Sequence, residues 1–495
     1  MLKLAFILWL GAFGISWILV RVTRNVARTR GLVAPVRGDR WHAHATPLFG
    51  GVAIAVAFLV ALAMGRGISD EFRDATSANA ALVIALVVGA IGAAVTGLCD
   101  DIIHFRPGAK LAAQCGCACA FLWICGGVQI TGSAPVDSVI GFLWIVTVMN
   151  AVNMIDNIDG AAASAVSVGL LGIAAMNWIL APGSFVFGIA LVAAGATLGF
   201  LAQNLPRAKI FMGDAGSLFL GFLLAALVLI CARTVTIEAD TNEMLESSQG
   251  WLVTIVAAAG FAFVPLADMT VVSIARIRRG QSPMVGGRDH TTHRLNEMGF
   301  SGGAIVLMIL ATSAVSAGVA VAAATGVLAM TLATTVLFVL FTVTVGGMLR
   351  VCMRMDDAAV GGTSRQLAAF APFAKGVIDV VMIAVAVNAG YLIRWDFTIP
   401  PELANSVAWS LPIAMACCVS VNAFAGTYWK PWSGNRWNGV KQGFLAALLG
   451  SILAVILIAA LWSPERLFSR LALGFFLVGY PLLTATMRML FWRKA

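Results

Sequence analysis

Asp214 stands in the stretch FMGDAGSLFLGF, residues 211–222, between two apolar runs that are each long enough to cross a bilayer. Gly216 and Ser217 fall where the second of those helices begins, and the first-turn amides of a helix attract anions. A carboxylate beside them can hold a divalent cation, so the pair suits a phosphate bound together with its metal. The lead-in, QNLPRAKI, breaks the preceding helix at Pro206 and carries Asn204. Phe211 offers a flat face to a base, whereas Met212 reads as packing.

Three other polar clusters interrupt the apolar runs. GLCDDIIHFRPGAK sets Asp100 beside Asp101 at the end of one run. Adjacent carboxylates repel unless a cation or a proton joins them, which suggests a metal site or an acid/base group. Lys110 and Gln114 open the next run one turn apart, where Lys110 can reach a phosphate. In NAVNMIDNIDG, Asn150, Asn153, Asp156 and Asp159 recur every third residue and so share a helix face, which is suited to a water-filled cavity. ARIRRGQSPMVGGRDHTTHRL carries Arg276, Arg278, Arg279, Arg288 and Arg294, together with His290 and His293, two of the five histidines. Those histidines lie three apart beside Asp289 and Arg294, a set suited to gripping a pyrophosphate.

The elements that must position these groups are membrane helices. The chain has 495 residues, 60% hydrophobic and only 11% charged, with a mean hydropathy of +0.93, more than any soluble domain needs. Apolar runs of spanning length recur at 4–20, 50–64, 80–98, 110–125, 139–152, 161–179, 184–202, 216–232, 251–273, 303–325, 330–348, 376–393, 406–426, 440–462 and 471–487. The expected fold class is an all-α polytopic integral membrane protein. Arg21, Arg24, Arg28 and Arg30 follow the first run without an Ala-x-Ala-like site, so that run reads as a retained span and not a signal peptide. With the N-terminus outside, alternate loops collect Arg21 to Arg40, Arg106, Arg207 and Lys209, Arg276 to Arg294, Arg350 to Lys375, Lys430 to Lys441, and Arg488 to Lys494. The positive-inside rule then puts all four clusters on the cytoplasmic face. The net charge of +9 follows from this topology and gives no reason to expect nucleic acid. Cys115, Cys117 and Cys119 lack metal-ligand spacing and read as small packing residues.

Carboxylates for a metal, cations for a diphosphate, and a lipid head group attacking in the membrane plane together describe phosphoryl transfer. Spacing alone reaches a membrane enzyme acting on an anionic, metal-bound substrate. A transporter also uses broken helices and buried polar groups, but near the bilayer midplane and between repeats. Here the groups gather at one face, and no clear inverted repeat is present. An intact acidic set argues against a non-catalytic scaffold.

The motif order GLxDD, NxxNxxDxxDG, NxxPxxxFMGDxGS, PxxD and a histidine loop before Arg-Leu resembles the polyprenyl-phosphate N-acetylhexosamine-1-phosphate transferase family, glycosyltransferase family 4, over residues 1–350. WHAHATPLFGG agrees, with His42 matching the family's histidine and Thr46, Pro47, Gly50 and Gly51 its Thr-Pro-x-x-Gly-Gly segment. The resemblance implies a core of about eleven transmembrane helices, Mg²⁺ with Mn²⁺ as an alternative, and a cytoplasmic active site in the bacterial inner membrane. The implied reaction moves the sugar phosphate of a UDP-N-acetylhexosamine, UDP-GlcNAc first, onto undecaprenyl phosphate and releases UMP. The branch that acts on a peptidyl-sugar donor to start peptidoglycan is the alternative.

By position, the resemblance implies that Asp214, with Asp100 and Asp101, ligates the metal. Asp156 and Asp159, with Asn153, would line the nucleotide pocket, Asn204 and Phe211 would seat the uridine, and Lys110 would contact phosphate. Asp100 is implied either to deprotonate the lipid phosphate or to position it and the metal. His290 and His293 join the catalytic set, and Thr46, Asp268 in PLADMT, Arg288 and Arg294 join the substrate-binding set. The family loop reads His-x-His-His, whereas this chain has His290, Thr291, Thr292 and His293. The missing middle histidine is expected to alter sugar or diphosphate contacts without loss of activity.

Residues 351–495 lie beyond the resemblance. A cytoplasmic linker, 351–375, with Gly361, Gly362 and Pro372, leads into about four further spans over 376–495. No Gly-x-Gly-x-x-Gly follows. The expected role is an accessory membrane domain, embedded in lipid, that docks a glycan-assembly partner or supports a homodimer, against a remnant with a packing role only.

Overall fold

The computed structural model describes residues 2–34, 46–128, 130, 133–205, 207–239, 250–282, 287, 289–325, 330–355, 401–428, 436–460 and 470–491, and within 375–393 all but 377, 381, 384, 388, 391 and 392. The chain divides into two units, Met1–Val327 and Leu328–Ala495. The first contains α1 (Leu2–Thr29), α2 (Gly50–Ile68), α3 (Asp70–Ala78), α4 (Ala80–Ile103), α5 (Pro107–Ile124), α6 (Ala134–Ile155), α7 (Ala161–Leu180), α8 (Phe185–Asn204), α9 (Gly213–Ala239), α10 (Gly250–Phe261), α11 (Phe263–Arg278), α12 (Thr291–Glu297) and α13 (Gly302–Ala324). One antiparallel bridge, β1 (Val33–Ala34) with β2 (Thr46–Pro47), pairs Ala34 with Thr46.

Among the described residues, 10 helices are long and apolar enough to cross a membrane, or 11 if the bent pair α10 and α11 counts as one span. The chain is thus an all-α polytopic membrane protein, as its hydropathy predicts. The expected span at 251–273 is broken, because α10 and α11 meet at 74° across Ala262. Pro265 has no N–H to return to the carbonyl of residue 261, so a continuous helix loses a bond there.

The axis of the first unit is α9. It is apolar on every side, and α2, α4, α6, α7, α8 and α10 pack on it. Its most apolar window is 94% buried, as a helix without a polar stripe requires. Phe219 and Phe222 meet Phe58 and Phe121 edge-on at 5.7 and 5.8 Å between ring centroids. α4 crosses the start of α9 at Gly97, where a Cβ would lie 2.1 Å from the Asp214 carbonyl oxygen.

The second unit contains α14 (Met330–Met355), α15 (Pro401–Phe424), α16 (Arg436–Ala460) and α17 (Arg470–Phe491). The spans expected at 330–348 and 406–426 fall on α14 and α15, of 26 and 24 residues. Each helix of this unit packs on the next, around Ile383, Ala414, Cys418, Ala447, Phe476 and Tyr480. Inside it Asn422 donates to the Tyr480 hydroxyl at 2.9 Å, and Arg488 donates to the Gly439 carbonyl at 3.0 Å. The division falls ahead of α14, which packs on α15. Apart from the end of α14 and Lys375, the linker 351–375 lies outside the described residues.

The Gly97 crossing is testable. Gly97→Ala is expected to destabilise the protein by about 1–3 kcal/mol through overpacking, seen as a lower melting temperature in detergent. Gly116→Ala, inside α5 at a position with open space around it, should keep or raise the melting temperature, and equal values for the two variants would contradict this crossing.

Candidate active site

The start of α9 is built by neighbours. Gly213 has a φ of 72°, in the left-handed region, and a Cβ there would lie 2.6 Å from Asp101 Oδ2. The Asp214 and Ala215 amides donate to Asp101 Oδ1 and Oδ2 at 2.9 and 3.1 Å. A carboxylate from α4 therefore takes two of the first-turn amides of α9, those of Asp214 and Ala215. The Gly50 and Gly51 amides donate to the Phe211 and Met212 carbonyls at 2.9 and 2.8 Å, and the Phe211 amide donates to the Pro47 carbonyl at 2.9 Å. The Thr-Pro-x-x-Gly-Gly segment thus cradles the FMGD turn, with Thr46 buried in β2.

Lys110 gathers the polar groups. Its Nζ lies 2.6 Å from Asp214 Oδ2, 2.9 Å from Asp100 Oδ2 and 3.2 Å from Asn153 Oδ1. Asn153 Nδ2 donates to Asp214 Oδ1 at 2.6 Å and to Ser217 Oγ at 2.8 Å. Asp100 Oδ1 accepts the Phe105 amide at 2.7 Å, which turns the chain out of α4. Asp100, Asp101, Lys110, Asn153 and Asp214 so form one network drawn from α4, α5, α6 and α9. Asp100 and Asp214 share one ammonium, with Asp101 turned to the α9 amides beside them, and three carboxylates near a single cation suit a further one. Among the described residues no group of three His, Cys, Asp or Glu side chains is arranged to hold a metal alone.

Behind this network, Asp159 Oδ2 accepts the Ala208 amide at 2.9 Å. Asn204 Oδ1 accepts the Gly160 amide at 2.5 Å, and its Nδ2 donates to the Ile210 carbonyl at 2.9 Å. Asn204 is 5% exposed, so it braces the turn at 156–160 against the segment leading to Asp214. Asp156 caps the C-terminal end of α6, and Phe211 is partly exposed.

The histidine loop attaches to the same turn. Thr292 Oγ1 donates to Asn157 Oδ1 at 2.5 Å. Asp268 accepts from His290 Nδ1 at 3.0 Å, from the Thr291 amide at 2.8 Å and from the Thr291 hydroxyl at 2.6 Å. The His290 and His293 rings lie 6.3 Å apart. Arg276 forks onto Asp289 through Nε at 3.0 Å and Nη2 at 2.7 Å, and Arg294 reaches Glu297 at 3.1 Å. Asp289 thus belongs to an anchor of the loop, and Arg276 is more than a topological charge. Arg288 and His42 lie outside the described residues. The sequence reading passes over Asn157, although it sits in the polar run between Asp156 and Asp159. Nothing local pairs Arg276 with Asp289, because their partnership depends on how the loop returns to α11.

Fold and network together define a polytopic membrane enzyme. Residues 83–232, which include α4 through most of α9, match Glycosyl transferase family 4. The "Probable undecaprenyl-phosphate N-acetylglucosaminyl 1-phosphate transferase" of Bacillus subtilis is 32% identical over 305 residues, 59% of this chain and 77% of the relative. The "Decaprenyl-phosphate N-acetylglucosaminephosphotransferase" of Mycobacterium tuberculosis is 31% identical over 310 residues, 58% of this chain and 74% of the relative. The "Phospho-N-acetylmuramoyl-pentapeptide-transferase" of Nostoc punctiforme is 42% identical over 145 residues, 26% of this chain and 39% of the relative. The chain belongs to glycosyl transferase family 4, and within it to the polyprenyl-phosphate hexosamine-1-phosphate transferases. It is a glycosyl-1-phosphate transferase.

The loop anchor responds to pH in a defined direction. Burial alone would raise the Asp289 carboxyl, but the hydrogen bonds and charge of Arg276 outweigh it and hold the group below its ordinary value of 3.8. The ion pair therefore contributes stability above pH 3.8 that is lost as the pH falls through the lowered folded value. Comparing melting temperatures of wild type and Asp289→Asn should show a gap at neutral pH that narrows below that point. A gap constant across the acid range would contradict this pairing.

Proposed function

We propose that the protein transfers N-acetylhexosamine-1-phosphate, GlcNAc-1-phosphate first, from a UDP-sugar to undecaprenyl phosphate with Mg²⁺, releasing UMP and starting a lipid-linked envelope glycan. The observation that carries this reading is the Asp100, Lys110, Asn153 and Asp214 network at the start of α9. Relatives named for GlcNAc transfer are matched over 77% and 74% of their length, against 39% and 58% for two relatives named for phospho-N-acetylmuramoyl-pentapeptide transfer, which favours GlcNAc. Basic loops on the side of the clusters support a site facing the cytoplasm of a bacterial inner membrane.

In this reaction an oxygen of the lipid phosphate attacks the β-phosphorus of the UDP-sugar. The bond from that phosphorus to the bridging oxygen breaks, and the oxygen leaves with its electron pair as part of UMP. One phosphoanhydride replaces another, so the reaction is reversible. A phosphate monoester, with a second pKa of about 6, is largely ionised near neutrality and needs no base. Asp100 then serves to hold Lys110, whose ammonium offsets charge on the transferred phosphoryl group.

The residues fit Mg²⁺, which is commonly held through one or two carboxylates completed by phosphate oxygens and water. Asp214, 31% exposed at its side chain against 10% for Asp100, would hold the ion with Asp100 beside it. Bound there, it would neutralise charge on the diphosphate. Asp101, with both oxygens on α9 amides, keeps Asp214 in place. Asp156, Asp159 and Phe211 would serve the nucleotide, and His290, His293 and Arg294 the sugar-diphosphate, with Arg288 in the same role by its place in the sequence.

The test is UMP release by purified protein with Mg²⁺ and undecaprenyl phosphate, comparing UDP-GlcNAc, UDP-GalNAc and UDP-MurNAc-pentapeptide. UMP with UDP-GlcNAc alone, lost on chelation and reduced roughly 10²–10³-fold in Asp214→Asn, is the expected result. No UMP with any donor, or an unchanged Asp214→Asn variant, would overturn the reading.

A further inference from the structure

Asp268 lies on α11, beyond the bend at Ala262, with its side chain 1% exposed. Its two oxygens receive three donors, all from the histidine loop: His290 Nδ1, the Thr291 amide and the Thr291 hydroxyl. A carboxylate only accepts, so the His290 Nδ1 must carry a proton. That nitrogen is committed, and Nε2 becomes the ring's one atom for contact with a ligand. A carboxylate enclosed in this way has no face left for a sugar or a diphosphate.

We propose that Asp268 is a positioning residue that fixes the orientation and tautomer of His290, so that Nε2 is presented to the sugar-diphosphate of the donor. The proposal rests on the transferase reading above. It takes Asp268 out of the substrate-binding set and gives it a partner in the loop. The same loop is pinned at two further points, by Thr292 on Asn157 and by Arg276 on Asp289, so a ring fixed at Nδ1 has little freedom to move. Asparagine in place of Asp268 keeps the shape but removes the charge and one acceptor, which releases the tautomer.

The test combines kinetics with nitrogen-15 NMR of histidine-labelled full-length protein. Asp268→Asn should lower kcat by roughly tenfold or more, with KM for the lipid phosphate unchanged. In a His290→Ala background the same change should cost nothing further. In the spectrum, the resonance that disappears in His290→Gln should show a protonated Nδ1 in wild type and lose that signature in Asp268→Asn. An equal loss from Asp268→Asn with and without His290, or a wild-type His290 without a proton on Nδ1, would overturn the proposal. Should Asp268→Asn fail to fold, the wild-type and His290→Gln spectra still decide it. Absence of UMP release by wild type would instead count against the transferase reading and leave the spectrum as the test of this pair.

Discussion

Lys110 holds carboxylates from two different helices within 2.6 and 2.9 Å of one ammonium, and the other constraints of the first unit can be traced to keeping that arrangement. Two acidic groups at a helix crossing repel unless a cation stands between them. The crossing therefore has to be close and fixed. Gly97 lets α4 approach the backbone of α9, Asp101 ties the first amides of α9 to α4, and Asn153 reaches across from α6. The apolar length of α9 is the rigid post on which these contacts hang.

Much of this was legible in the sequence, for particular reasons. Polar and charged residues are so costly among apolar runs that those present announce themselves, as Asp100, Asp101, Asn153 and Asp214 do. Motif order then carried the family resemblance. The Thr46 and Pro47 segment looked like a further motif without a mechanism, and its carbonyl bond to Phe211 supplies one.

What the sequence hid follows from contacts that cross the fold. Asp100 and Asp101 are neighbours in the chain, yet one faces Lys110 and the other faces the amides of α9. No local signal separates two adjacent carboxylates. Asn204 resembled a nucleotide contact by position, but the fold spends both ends of its amide on backbone groups. The bend at Ala262 was invisible to hydropathy, since both halves of the span are apolar and only Pro265 marks the break. The second unit shows the complementary case, in which the apolar pattern reveals helices while polar groups such as Asn422 and Tyr480 are occupied with each other.

In the proposed reaction the donor's β-phosphate travels with its sugar to the lipid. This can be tested with UDP-GlcNAc carrying tritium in the sugar and phosphorus-32 in the β-phosphate, incubated with the protein, Mg²⁺ and undecaprenyl phosphate. Both labels should enter the lipid fraction in equal amounts while unlabelled UMP is released. Sugar label entering the lipid alone, with phosphorus-32 left in UDP, would contradict it.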